Sequence, residues 1–458
     1  MINIEKKRHL ILENKNIYMS IIIIALPIFL SNLLKSFHSF VDLYFVSPLG
    51  GSVKAAISFT NPIISIALSL AGGLMVAASA IVAQSLGAND KEKAKKVVGQ
   101  VLTMNLFIGI LFNALLYIFT PYIVTTMGST GETAELAIEY VRIRSFEMIP
   151  VFMFYAFLAS RQASGDTVTP VIFDIIAIFI NIILTWLFVN KLGMGLSGAA
   201  FGTVIGNFAV LPVFLYLLFN DKKAAIRLDK KSLKLDFEET KKIFVLGIPS
   251  AVAQTFTSVG FLLINTLILS YGDEVMSGFG IGNNINSFVL MPALGVGGSI
   301  ATFVGQNIGA NNPKRAKDTV RCGMILTVGI MVIGGFSLMF LRGALAGIFS
   351  SPGDVDYEIA KTYMFFLFFS LPLVGIFQVF IGVFQGTGNT KFVFLVSSIR
   401  LWVLRIPVAY IFMKLYNSDS TGVMYAMIIS NLGASFLGFA IYKTIKFDKK
   451  IYIENLEA

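Results

Sequence analysis

"AQSLGANDKEKAKK" at Ala83–Lys96 is written again 222 residues later, as "GQNIGANNPKRAKD" at Gly305–Asp318. The echo does not stop at the phrase. At the same shift Pro27 falls on Pro249, Gly50 on Gly272 and Pro150 on Pro372, while Gln84, Gly87, Ala88 and Asn89 fall on Gln306, Gly309, Ala310 and Asn311. After one inserted residue, "QASGDT" (Gln162–Thr167) matches "QGTGNT" (Gln385–Thr390). Residues that restrict or free the backbone recur together, so the chain reads as two copies of one unit. Inside each copy the phrase closes a helix with Gly, turns on Ala-Asn and opens a basic amphipathic segment. The expected role is a loop that anchors helix ends by its charge, rather than a substrate contact.

The 458 residues are 56% hydrophobic and only 14% charged. Soluble domains carry about a quarter charged residues, and here the apolar residues come in blocks long enough to span a bilayer, about 20 residues each. Twelve blocks are read, near 17–45, 54–84, 97–125, 137–160, 168–189, 196–219, 243–270, 276–306, 320–349, 360–385, 391–415 and 421–443. The first is too long for a signal peptide and runs straight into further spans. Six spans per copy is an even number, so both copies enter the membrane from the same side. That is a parallel repeat, an architecture whose halves enclose a cavity and rock against each other. The expected fold is all-α and polytopic: twelve transmembrane helices in two six-helix bundles. The first bundle is drawn at 1–219, a basic linker at 220–242, and the second bundle with its tail at 243–458.

The net charge of +10 is placed for a membrane rather than for nucleic acid. Basic residues gather before the first span (Lys6, Lys7, Arg8, Lys15), in the even-numbered loops, and in the tail at Lys446, Lys449 and Lys450. Most alternate loops are short and mildly acidic: "GSTGETAE", "YGDEV", "SPGDVDYE", "YNSDS". The positive-inside rule then puts both termini in the cytoplasm, in a multi-pass cell-membrane protein. The single cysteine, Cys322, excludes an intramolecular disulfide, and two histidines, His9 and His38, form no metal-type cluster. No Gly-rich phosphate loop with a following Lys-Ser/Thr is present, which argues against an ATP-driven pump. An intramembrane enzyme would need a catalytic constellation, and the spans offer only His38 with one Asp a turn away.

Ionisable groups inside a bilayer are expensive and mark function. The first span carries Lys35, His38 and Asp42 on one helical face, and the fifth carries Asp174, Asn181 and Thr185 on another. The corresponding second-half spans hold no carboxylate; they offer Gln254, Asn284, Asn286 and, in the eleventh span, Arg400 and Arg405. The repeat is symmetric but the charge is not, so an ion or proton drive is expected in the first half. Asp42 can carry a proton, or hold a small cation with neighbouring amide, hydroxyl and carbonyl oxygens. The structural alternatives are an Asp42–Lys35 ion pair two turns apart and a hydrated Asp174 near the cytoplasmic interface. Arg144 and Glu147, at i, i+3, read as a helix-stabilising pair. Arg400 and Arg405 divide between backbone anchoring and substrate contact.

The chain resembles the multidrug and toxic compound extrusion (MATE) family over nearly its whole length. The resemblance rests on "ALPIFLSNLLKSFHSFVDLYFV", the twin "GAN" loops, "LGMGLSGAAFGTV" at 192–204 and "RIPVAYIF" at 405–412. It implies a cation-coupled antiporter that exports organic, often cationic, toxic compounds, built as two six-helix bundles around a V-shaped cavity. It implies an ion-coupling set of Asp42, Asn181, Thr185, the Ala199 carbonyl and the Thr203 hydroxyl, with proton or sodium as the coupling ion and no other cofactor. The family's pattern has an Asp where Thr185 stands, and losing that charge weakens the case for sodium. Asp174 lies seven residues before Asn181, about 10 Å along a helix, too far to join the same ion unless the helix bends. Some members carry acids in the second bundle; this chain does not, so no cation route is expected there. Lys35 also departs from the pattern, and a cation in the cavity suits anionic or zwitterionic substrates. The substrate cavity is expected to involve Asn32, Lys35, Asp174, Gln254 and Arg400. Its partners would be a small organic substrate and membrane lipid, with one chain sufficient. A lipid-linked saccharide flippase of the same superfamily is the alternative function.

Overall fold

The computed structural model describes residues 4–415 and 419–451; the last residues of the chain, and 416–418 of the acidic loop "YNSDS", lie outside the described residues. In chain order the α-helices are α1 (Ile4–Leu12), α2 (Ile17–Val46), α3 (Gly51–Gly87), α4 (Lys91–Thr126), α5 (Gly131–Ser145), α6 (Met148–Ala163), α7 (Val168–Trp186) and α8 (Gly195–Asn220). They continue as α9 (Phe237–Leu269), α10 (Asp273–Gly309), α11 (Pro313–Ala346), α12 (Val355–Gly386), α13 (Thr390–Ser398), α14 (Ile406–Leu415) and α15 (Thr421–Thr444). Two π-helical turns, Leu187–Lys191 and Ile399–Arg405, extend α7 and join α13 to α14. Among the described residues eleven helices are long and apolar enough to cross a membrane, and α5 with α6, bent by 47°, make a twelfth when the pair is counted as one span. The protein is therefore a multi-pass, all-helical membrane protein. The α5–α6 bend has a local cause: Pro150, in the first turn of α6, has no amide hydrogen with which to carry the α5 ladder across Phe146 and Glu147.

The backbone repeats as the sequence does. Gly50 and Gly272 share φ of 114° and 115°, and Gly165 and Gly388 share 76° and 74°. Asn89 and Asn311, in the twin phrase, are both left-handed at 64° and 56°. Asparagine tolerates that conformation better than other side-chain-bearing residues, which explains why the phrase keeps Asn there.

The helices gather into two compact units. One comprises Leu30–Ala251 with the chain's start up to His9 and Ile451; the other comprises Leu10–Phe29 and Val252–Lys450. The boundaries drawn from the sequence, 1–219 and 243–458, separate the two copies, whereas the compact units divide within α2 and α9. Pro27 and Pro249 lie within three residues of those divisions. In the first unit Phe157, Phe173 and Phe214 meet edge-on and tilted, at centroid distances of 5.4–6.4 Å. In the second, Ile21 and Ile24 of α2 bury against Ile300, Phe303 and Phe384.

The segment before α9 is not a free tether. Gln100 donates to the Lys234 carbonyl at 2.7 Å and accepts from the Asp236 amide at 2.8 Å. Lys96 pairs with Asp236 at 2.7 Å and Lys95 with Asp229 at 3.1 Å. The Ser232 amide and Lys95 hold Asp229 below the usual carboxylate range, and Lys96 with the Glu239 amide does the same for Asp236. Gly99 is required here: a Cβ would stand 2.2 Å from the Ser232 carbonyl oxygen.

Candidate functional site

The first unit contains a cavity of about 300 Å³, walled by α2, α3, α5, α6, α7 and α8. Its walls are largely apolar, with Phe154, Tyr155, Phe173 and Phe214, and its polar groups fall into three sets.

The first set joins α2 to α7 and α8. His38 Nε2 lies 2.7 Å from Asn181 Oδ1 and 3.4 Å from Asp42 Oδ2. Asn181 Nδ2 donates to Thr203 Oγ1 at 3.0 Å, and Thr203 donates to the Ala199 carbonyl at 3.1 Å. The chain has a direction. Because the Asn181 amide nitrogen donates, its oxygen must accept, so His38 presents N–H at Nε2. Asn181 and Thr203 are almost fully buried, and Asp42 Oδ1 is a buried oxygen with no hydrogen-bond partner.

The second set is Asp174 with Lys35 at 3.4 Å and with the Ser31 hydroxyl, which donates to Asp174 Oδ2. The third is Arg144, bound to Glu147 at 2.6 Å and to the Tyr140 hydroxyl at 2.8 Å, with Asn207 donating to Glu147 at 3.4 Å. Arg144 and Glu147 do form the expected i, i+3 pair, but the bend between α5 and α6 turns it into the cavity wall.

The structural alternative, an Asp42–Lys35 ion pair, gives way to other partners. Lys35 takes Asp174 and Asp42 takes His38. Of the expected ion set, Asn181, Thr203 and the Ala199 carbonyl form one hydrogen-bonded chain, and Asp42 reaches it through the His38 ring, 3.4 Å away. Thr185 is fully buried beside them, yet its hydroxyl has no partner and abuts Gly202. Asp174 belongs to a separate group one step along the same helix pair. Of the expected cavity residues, Lys35 and Asp174 line this space; Asn32, Gln254 and Arg400 do not line it. Arg400 instead lies over the Phe377 ring at 4.2 Å.

His38 is the member that sequence reasoning left out of the ion set, and a signal for it existed. Ser31 meets Asp174 and His38 meets Asn181, so residues seven apart on α2 meet residues seven apart on α7. Two helices running in the same sense present such positions to one another at a near-constant offset. The seven-residue spacing in each helix was visible; the offset between the helices was not.

The comparisons with known proteins agree with this architecture. The MatE family model matches twice, over residues 27–187 and 249–411. The chain is 27% identical over 419 residues to the "Probable multidrug resistance protein YoeA" of Bacillus subtilis, covering 89% of each. It is 25% identical over 449 residues to the "Probable multidrug resistance protein NorM" of Thermotoga maritima, covering 96% of this chain and 95% of that one. A crystal structure of MATE in complex with MaL6 superposes with a TM-score of 0.91 at 22% identity, covering 96% and 98% of the two chains. With one family match in each copy of the repeat, together spanning well over half the chain, this protein belongs to the MatE family.

Proposed function

We propose that this protein is a proton-coupled antiporter that exports lipophilic organic compounds, cations among them, across the cell membrane. The observation that carries the coupling ion is the position of His38, whose Nε2 stands between the Asp42 carboxylate and the Asn181 amide oxygen. A sodium ion would need those same oxygens free, and Asn181, Thr203 and Ala199 are already committed to the hydrogen-bond chain. Thr185 in place of an acid removes the second negative charge such an ion would need. A proton needs only Asp42 and the imidazole.

The physical argument for coupling is differential affinity. A proton drives export only if it binds the two transport states unequally. Protonating Asp42 removes its attraction for His38, and His38 is tied to Asn181, so the contact between α2 and α7 changes with proton occupancy. The substrate half of the cycle is supported by the aromatic walls and by charge balance. Lys35 and Arg144 each already face a carboxylate, so the cavity does not repel an organic cation, whose charge aromatic faces attract. Relatives named for multidrug resistance support the substrate class. The basic face of α4 and the positive-inside rule support cytoplasmic termini, and one chain carries the whole site.

The test uses purified protein in liposomes, with proton and sodium gradients imposed separately and a fluorescent organic cation as the probe. Transport under a proton gradient alone, lost in Asp42→Asn and in His38→Gln, is expected. Transport under sodium with an inert proton gradient would overturn the coupling; transport of a lipid-linked saccharide alone would make the protein a flippase.

A further inference from the structure

The second unit holds a cavity of its own, about 350 Å³, with the opposite electrostatics. Among its lining residues Arg405 is the one that carries a charge, and no carboxylate joins it. Arg405 is 7% exposed and is held in place: Nε donates to Ser430 Oγ and Nη2 to Asn431 Oδ1, each at 2.9 Å. These acceptors are themselves fixed. Asn431 donates to Ser370 at 2.6 Å, and Ser430 donates to the Met427 carbonyl at 2.9 Å. Two of the five guanidinium N–H groups are thus used for positioning. Among the described residues no carboxylate pairs with Arg405 or with Arg400, which shares its π-helical turn.

An arginine kept charged inside a membrane protein without a counter-charge is costly, and such groups normally pair with one another or line a pathway. Here the neighbours are neutral donors and acceptors: Asn265, Asn283 and Asn284 line the same space, with Phe261 and Phe279 among its apolar walls. In the first unit, by contrast, Lys35 and Arg144 each have an acid. We infer that the second unit's cavity is a binding site for the anionic group, a carboxylate by preference, of a small amphipathic organic molecule. The guanidinium fork matches a planar carboxylate, the asparagine amides supply further donors, and the aromatic walls take the apolar body. The volume suits a one- or two-ring acid.

This inference is independent of the proton reading, because it concerns binding at equilibrium with no gradient. The experiment measures dansylglycine and its neutral analogue dansylglycinamide binding to the full-length protein in uncharged detergent, by fluorescence anisotropy. The acid is expected to bind roughly tenfold or more tightly than the amide, as a charge-assisted hydrogen bond provides. Arg405→Gln should abolish the preference. Because that change also leaves Ser430 and Asn431 without a donor, Asn283→Asp is the second variant: it places a competing carboxylate in the cavity wall and should abolish the preference in a folded protein. Thermal melts check folding in both. Equal binding of acid and amide by the wild type, or a preference that survives Asn283→Asp, overturns the inference. Displacement by excess benzoate assigns the site to a free organic anion; displacement only by phosphatidylglycerol-containing micelles assigns it to a lipid headgroup.

Discussion

Gly202→Ala is the sharpest test of the hydrogen-bond chain, because the structure states what the added methyl meets. A Cβ at residue 202 would lie 2.4 Å from Thr185 Oγ1, 3.0 Å from the Thr185 amide nitrogen and 3.2 Å from its Cα. The hydroxyl contact is about 1 Å closer than van der Waals contact allows, so α7 and α8 must separate locally by several tenths of an ångström or more. Overpacking of this kind costs about 1–3 kcal/mol. The separation falls on the two helices that carry Asn181 and Thr203, whose 3.0 Å bond stretches out of hydrogen-bonding range and costs about 1 kcal/mol more. A loss of about 2–4 kcal/mol is expected in total, enough to lower proton-driven export tenfold or more if it falls on the transport-competent state. The control is Thr185→Ala, which removes the clashing hydroxyl. Alone it should be nearly neutral, since that hydroxyl is buried with no partner. Combined with Gly202→Ala it should restore most of the melting temperature and the transport rate, leaving only the 3.0–3.2 Å backbone contacts. A double-mutant cycle in melts and liposome flux reads the coupling directly. Wild-type behaviour of Gly202→Ala, or no rescue by Thr185→Ala, would refute the argument that α7–α8 spacing controls the site.

Lys35→Met leaves the half-buried Asp174 carboxylate without that cation while the Ser31 hydroxyl still donates to it; binding of an organic cation, read by fluorescence quenching in detergent, should tighten severalfold. Gly99→Val should push the 229–236 segment off α4, and limited proteolysis should then cut within it faster than in wild type. Asp166→Asn tests the loop between α6 and α7. Burial pushes the Asp166 carboxyl up, but Lys7 at 2.9 Å, Thr169 and Arg161 outweigh it and hold the group below its usual range. A depressed carboxylate stabilises the fold above its ordinary pKa and loses that contribution as pH falls through the lowered one. Wild type should therefore exceed Asp166→Asn by about 2 kcal/mol at pH 7, with the gap in melting temperature closing only below the ordinary carboxylate range, near pH 4.

The repeat, the spans and the site were unequally legible because they rest on different kinds of information. Span count follows from apolar length, a property of single segments, and the phrase shows a turn at Ala-Asn in each copy, though not that Asn89 and Asn311 are left-handed there. The face bearing Lys35, His38 and Asp42 was legible from helical periodicity alone. Which of these residues meets which partner was not. The spacing of Lys35 and Asp42, two turns apart, offers an ion pair only as the structural alternative, and each is found with another partner: Asp174 on α7 for Lys35, His38 at i, i+4 for Asp42. Arg144 and Glu147 were read as a local pair, and their place in the cavity depends on the 47° bend between α5 and α6, which the spacing of the pair does not reveal.

The twin phrase acquires a physical role once the segments that dock on it are considered. In the first unit the start of α4, which the phrase itself contains, receives the chain that leads into α9: Lys93, in the phrase, pairs with Glu239, and Gln100, just beyond it, clamps the backbone at Lys234 and Asp236. In the second unit the start of α11, likewise contained in the second phrase, receives the chain that leads into α2: Arg315 donates to the carbonyls of Ile11 at 2.9 Å and Asn14 at 2.8 Å. Asn307, within the phrase, also donates to the Ile11 carbonyl, at 3.3 Å. The same helix start thus performs the same task in both copies, holding the entry to a proline-bearing helix that is divided between the compact units. The chemistry differs by copy, with lysines on carboxylates in one and an arginine on backbone carbonyls in the other. Charge therefore anchors these loops, but it does so by fixing a specific neighbouring segment, and a basic residue moved one turn along α4 or α11 would keep the net charge and lose the clamp.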